Sequence, residues 1–153
     1  VAPILTTAAP YVAAGTSLIA GRQASAAGKY NQAVYNRNAQ VAEQEAAQIE
    51  KQTEFDLARF DKQFAQLQGQ TKTNILFSGA ELSGSGLRIL RRNAEEAELE
   101  KDIIDYNAKI GKARKFEEAN FARMQGSIAR QQAKSTALGY YATAGTSLLR
   151  AIE

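Results

Sequence analysis

The 153-residue chain contains no cysteine, no histidine and no tryptophan, and its two prolines, Pro3 and Pro10, both fall in the first ten positions. Without cysteine there are no disulfides, thiolate metal sites or Cys nucleophiles, and without histidine there is no imidazole base and little zinc chemistry. These absences weigh against an enzyme. The late prolines that would break helices are missing too, so more than a hundred residues are free to run helically. Large apolar side chains are scarce for a chain that is 44% hydrophobic, because much of that fraction is alanine and only 8% of residues are aromatic. Such a composition suits a thin bundle or coiled coil better than a thick globular core.

What is present reads as two helical arms. Residues 24–68 are rich in Ala, Gln, Glu, Arg and Lys, all good helix formers. Larger apolar residues recur there at Tyr30, Val34, Val41, Ile49, Leu57, Phe60, Phe64 and Leu67, mostly three, four, seven or eight positions apart. Residues 69–86 carry Gly69, Gly79, Gly84 and Gly86 among Ser and Thr, which reads as a corner. Ile75, Leu76 and Phe77 are expected to pack as a short turn inside it, and Ser83 or Ser85 to cap the helix that follows. Residues 87–134 restart the stripe at Leu87, Leu90, Ala94 and Ala97 and continue it through Ile103, Tyr106, Ile110, Ala113, Phe121, Met124 and Ile128. The predicted fold is therefore all-α: a long antiparallel, coiled-coil-like helical hairpin with extra helical segments at 1–23 and 135–153. Its expected seam is Val41, Ile49, Leu57, Phe60, Phe64, Leu90, Ile103, Ile110, Phe121 and Met124.

Folding back at the Gly79 to Gly86 corner brings Glu43 and Glu45 near Lys109 and Lys112, and Arg37 near Glu117 and Glu118. The sharpest charge feature is an acidic block, Glu95, Glu96, Glu98, Glu100, Asp102 and Asp105, followed by a basic one, Lys109, Lys112, Arg114 and Lys115. It reads as a solvated helix face or as a contact between the acidic block of one copy and the basic block of the next. The formal charge of +3 permits anionic surroundings without indicating a nucleic-acid reader, since acidic residues are interspersed along both arms.

Both ends are nearly free of charge. No charged residue occurs from Val1 to Gly21, and only Arg150 interrupts the uncharged character from Ser135 to Ile152. The ends also share a repeat, Ala14-Gly15-Thr16-Ser17-Leu18-Ile19 and Ala144-Gly145-Thr146-Ser147-Leu148-Leu149. Small residues at this spacing suit either close helix packing or insertion into a bilayer after release from a store. No secretory signal pattern is visible. No phosphate loop is found, because Ser83-Gly84-Ser85-Gly86 lacks the accompanying Lys and strand. Pairs such as Glu95 with Glu98, or Glu96 with Glu100, share a helical face, but a di-iron carboxylate site also needs Glu-x-x-His. No catalytic, cofactor-binding or metal residue is assigned, and no cofactor is expected.

Two stretches resemble a known family. Lys29-Tyr30-Asn31-Gln32-Ala33-Val34-Tyr35-Asn36-Arg37-Asn38-Ala39, with Ala42-Glu43-Gln44-Glu45-Ala46, is similar to the first arm of small internal virion proteins of short-tailed phages. Ser78-Gly79-Ala80-Glu81-Leu82-Ser83-Gly84-Ser85-Gly86-Leu87, with Leu90, Glu98-Leu99-Glu100 and Tyr106-Asn107-Ala108, resembles the corner of that family and its following helix. Gly86 stands where such corners often have Pro. The resemblance covers roughly residues 24–135. It implies a core or ejection protein, stored inside the capsid near the portal and passing to the host cell envelope to help form a conduit for the genome. It implies as partners further copies of the chain, other virion core proteins, the portal or tail, the host membrane, and phage DNA passing without sequence-specific contact. A ring or tube is expected, since heterologous contacts close when their rotation divides a circle. The alternative is a static helical adaptor or scaffold subunit of a virion or secretion apparatus that never meets lipid.

Overall fold

The structure, a computed structural model, describes residues 9–79 and 84–150. All regular structure in it is α-helix: α1 spans Ala9–Phe77 and α2 spans Ser85–Arg150, and the two pack as a hairpin. The all-α hairpin expected from the sequence is therefore present. Its boundaries differ. Of the uncharged ends, residues 9–23 are continuous with the first arm in α1 and residues 135–150 with the second arm in α2, while 1–8 and 151–153 lie outside the described residues.

The corner is also shorter than the expected 69–86. Gly69 lies inside α1, and the hydroxyls of Thr71 and Thr73 donate to the carbonyls of Leu67 and Gly69 rather than turning the chain. Thr71 and Ile75 are half-buried, so the seam continues to the end of the helix, while Leu76 and Phe77 are exposed in its last turn. Ser78 N–H then donates to Asn74 O at 3.0 Å and Gly79 N–H to Leu76 O at 3.1 Å. Gly79 and Gly84 take φ of 72° and 64°, a left-handed backbone that strongly favours glycine. Gly86 has no such role: it is buried in the first turn of α2. The proposed cap Ser83 and the neighbouring Ala80, Glu81 and Leu82 lie outside the described residues.

Two compact units divide the chain: a terminal unit of 1–41 with 118–153, and a central unit of 42–117. In the terminal unit, Ala14, Gly21 and Gly28 are buried and Tyr35 is half-buried on α1, seven residues apart, with Ala39 alongside. Facing them on α2 are Ala119, Gly126, Ala133, Ala137 and Ala144. Side chains this small let two helices approach until backbone meets backbone. A Cβ built on Gly28 would fall on the Ala133 methyl, one on Gly126 would lie 3.0 Å from Tyr35 Cβ, and one on Gly21 would lie 2.7 Å from the Tyr141 ring. Arg130 donates to Gln32 Oε1 at 2.8 Å across the same seam.

The central unit begins in the same style, with buried Ala42 and Ala46, and then changes. Ile49, Thr53, Leu57, Phe60 and Phe64 of α1 are half-buried, opposite Leu90, Ala94, Ala97, Ile104, Ala108 and Gly111 of α2. Gly111 leaves room for Ile49, whose Cδ1 would be 3.7 Å from an added Cβ. The rings of Phe60 and Phe64 lie parallel, 6.5 Å between centroids. Their bulk against Ala97 leaves a shallow groove that Leu67, Asn93, Glu96 and Glu100 complete.

Candidate interaction surfaces

The register of the hairpin decides which groups meet. Lys115 pairs with Glu45 and Lys112 with Glu50, each at 2.6 Å, and Lys101 pairs with Asp61 at 2.8 Å. These pairings lie about six residues along from the predicted register, because α1 continues past Gly69 and carries the turning point with it. Glu45 consequently meets Lys115 rather than Lys109 or Lys112, and Lys109 instead pairs within its own helix with Asp105 at 2.6 Å. Arg37, expected beside Glu117 and Glu118, makes no ion pair among the described residues. Asp61 raises the Lys101 ammonium above its ordinary value through a hydrogen bond and its charge, and Asp105 does the same for Lys109.

The same register corrects the expected seam. Ile49, Leu57, Phe60, Phe64 and Leu90 do lie at the interhelical contact, half-buried. Val41, Ile103, Ile110, Phe121 and Met124 do not: all five are exposed, Phe121 by 55% and Met124 by 50%. Their places are taken by Ala39, Ala42, Ala46, Ala97 and Ala119, of which Ala39, Ala46 and Ala119 are fully buried. Large residues drew the prediction because transfer free energy grows with apolar area. In a two-helix seam, however, the smallest residues permit the closest approach, and the bulky ones are displaced outward. The signal was legible as the seven-residue spacing of Ala14, Gly21, Gly28, Tyr35, Ala42 and Ile49.

The displaced residues form stripes of their own. At about 100° per residue, Leu99, Ile103, Tyr106 and Ile110 lie on the side of α2 roughly opposite Ala97, Ile104, Ala108 and Gly111. They face away from α1 in the central unit, with Leu99 61% and Tyr106 65% exposed. In the terminal unit Phe121, Met124 and Ile128 are exposed in the same manner on α2, and Tyr30, Val34 and Val41 on α1. Spacings of three, four and seven are those of helix-pairing faces. Each helix thus carries a seam toward the other and a further apolar stripe that is exposed.

The repeated ends behave alike. Ala14 and Ala144, the first residue of each copy, are both buried, each only 2% exposed. The following hydroxyls are satisfied inside their own helices: Thr16 and Ser17 donate to Ala13 O, and Thr146 and Ser147 donate to Thr143 O. Among the described residues no helix is long and apolar enough to cross a membrane, and no group of three metal-ligating side chains converges. No protein-family model, curated protein or solved structure matches the chain.

Proposed function

We propose that the chain is a structural subunit that works by lateral helix–helix assembly. The specific role is that of an internal virion or ejection protein, held near the portal of a short-tailed phage and helping to line a trans-envelope conduit. The observation that carries the assembly reading is the exposed apolar stripe of α2, four large side chains in the central unit and three in the terminal unit, pointing away from α1. A helix that leaves such a stripe in water gains by covering it with another helix. Copies joined side by side through stripes on α1 and α2 build a ring or tube around a hole, which suits passage of DNA. The phage role rests on the resemblance of the 29–46 and 78–108 stretches.

A second reading has its own observation. Ala14 and Ala144 are buried, so one face of each repeated end is engaged in protein packing while Leu18, Ile19, Leu148 and Leu149 stay exposed, and the packed face supports a static adaptor in a particle. Sedimentation velocity of the full chain tests assembly: a concentration-dependent rise from monomer to a discrete oligomer is expected, and a monomer at every concentration overturns it. Flotation with anionic vesicles divides the two roles, since the conduit requires the chain to float and the static adaptor requires it to remain at the bottom.

A further inference from the structure

The central part of α2 is charged in a pattern that matches itself in reverse. Asp102 and Lys109 are seven residues apart and lie on one edge of the exposed stripe formed by Leu99, Ile103, Tyr106 and Ile110. Glu100, Asn107 and Arg114, also at intervals of seven, lie on its other edge. Seven residues are about two helical turns, so each set keeps to one edge. When two identical helices pair antiparallel, each edge meets its own counterpart running the opposite way. Centred on Tyr106, this brings Asp102 to Lys109 of the second copy and Lys109 to its Asp102, and sets Glu100 against Arg114 twice over. Ile103 meets Ile110, and the two Tyr106 rings meet at the axis.

A parallel pairing gives no such match, because it sets the acidic block on the acidic block and the basic block on the basic block. The cations of this region are also divided in a useful way. Lys101, Lys112 and Lys115 are held by Asp61, Glu50 and Glu45 across the hairpin. Arg114 closes no ion pair among the described residues, and Lys109 pairs within its own helix with the half-buried Asp105 while its own side chain stays exposed. The cations that remain available are those on the edges of the apolar stripe.

From this complementarity we infer that residues 99–114 of α2 form a twofold contact with the same segment of a second copy, antiparallel and centred on Tyr106. The inference deepens the assembly reading and rests on it. A contact of this kind is isologous, so it makes pairs and cannot by itself propagate. A ring built through it must close through a second contact elsewhere, and contains an even number of copies.

The test is a charge exchange on the full-length chain, read by sedimentation equilibrium with circular dichroism as the check on folding. D102K alone sets lysine against Lys109, and K109D alone sets aspartate against Asp102. Each variant should weaken self-association by about tenfold, and an equimolar mixture of the two should restore it, because only the mixed pair is complementary. Since the chain has no cysteine, Y106C supplies a geometric readout: mild oxidation should give a disulfide-linked dimer, whereas Q48C, placed in the same unit on α1, should not. If the chain assembles but neither exchange nor Y106C responds, this contact is wrong while the assembly reading stands. A chain that is monomeric at every concentration sinks both, and flotation of that monomer with vesicles would assign the stripe to lipid.

Discussion

The terminal and central units contain the same two helices in the same antiparallel sense, yet they are held together differently. In the terminal unit the contact is made by Ala14, Gly21, Gly28 and Ala39 against Ala119, Gly126, Ala133 and Ala137, so helix backbones nearly touch, with Tyr35 half-buried beside Gly126. In the central unit Ile49, Leu57, Phe60 and Phe64 enter the contact, and cross-helix ion pairs run along its margins. The first arrangement depends on side chains being absent and the second on their being present. Substitutions of opposite kind should therefore damage the two units.

The largest effect is expected from Ala39→Leu, which inserts three carbons where there is no exposed surface. It should lower stability by about 3 kcal/mol in urea unfolding followed by circular dichroism. Its counterpart is Phe64→Ala in the central unit. Phe64 is only half-buried, so the loss should be about 2 kcal/mol, below the range for fully buried phenylalanine. Equal sensitivity of the two units to added bulk, tested by Thr53→Leu at a half-buried position, would break the distinction.

Glycines sharpen it further. Gly28→Ala gains helix propensity but drives a methyl onto Ala133, and a net loss of about 1–2 kcal/mol is expected. Gly111→Ala meets Ile49 at ordinary contact distance and should raise stability by about 0.5–1 kcal/mol, with the same chemistry and the opposite sign. Thermal melts of the two variants side by side would read both.

The smallest effect belongs to the ion pairs. Asp61 raises the Lys101 ammonium above its ordinary value of 10.5, so the folded state binds that proton more tightly than the unfolded state. The resulting stability is fully present below the unfolded value and is lost as the pH rises through the raised folded value. Lys101→Met should therefore reduce the dependence of stability on pH above about 10 while leaving it unchanged near neutrality. An unaltered alkaline slope in this variant would remove Lys101 from the account.

Much of this was legible before any coordinates. The confinement of both prolines to the first ten residues, the run of helix formers and the Gly79 and Gly84 corner were enough to specify two long helices folded back on one another. Helical propensity and left-handed backbone are local properties, and local sequence carries them. The seam was half legible. Size and spacing pick out Ile49, Leu57, Phe60, Phe64 and Leu90, and the stripe includes Ala97, but they favour Val41, Ile103, Ile110, Phe121 and Met124 over Ala39, Ala46 and Ala119.

The absence of thiol and imidazole chemistry, the helical class and the segregation of charge along α2 follow from which residues are present and in what order. Tertiary structure alone decided the register and, with it, which of two apolar stripes on α2 is covered. Both stripes have helical spacing, so periodicity cannot rank them. The choice turns on how closely two backbones can approach, and that is a property of the pair of surfaces: in the terminal unit alanine and glycine face each other, and Phe121, Met124 and Ile128 of α2 are left pointing outward.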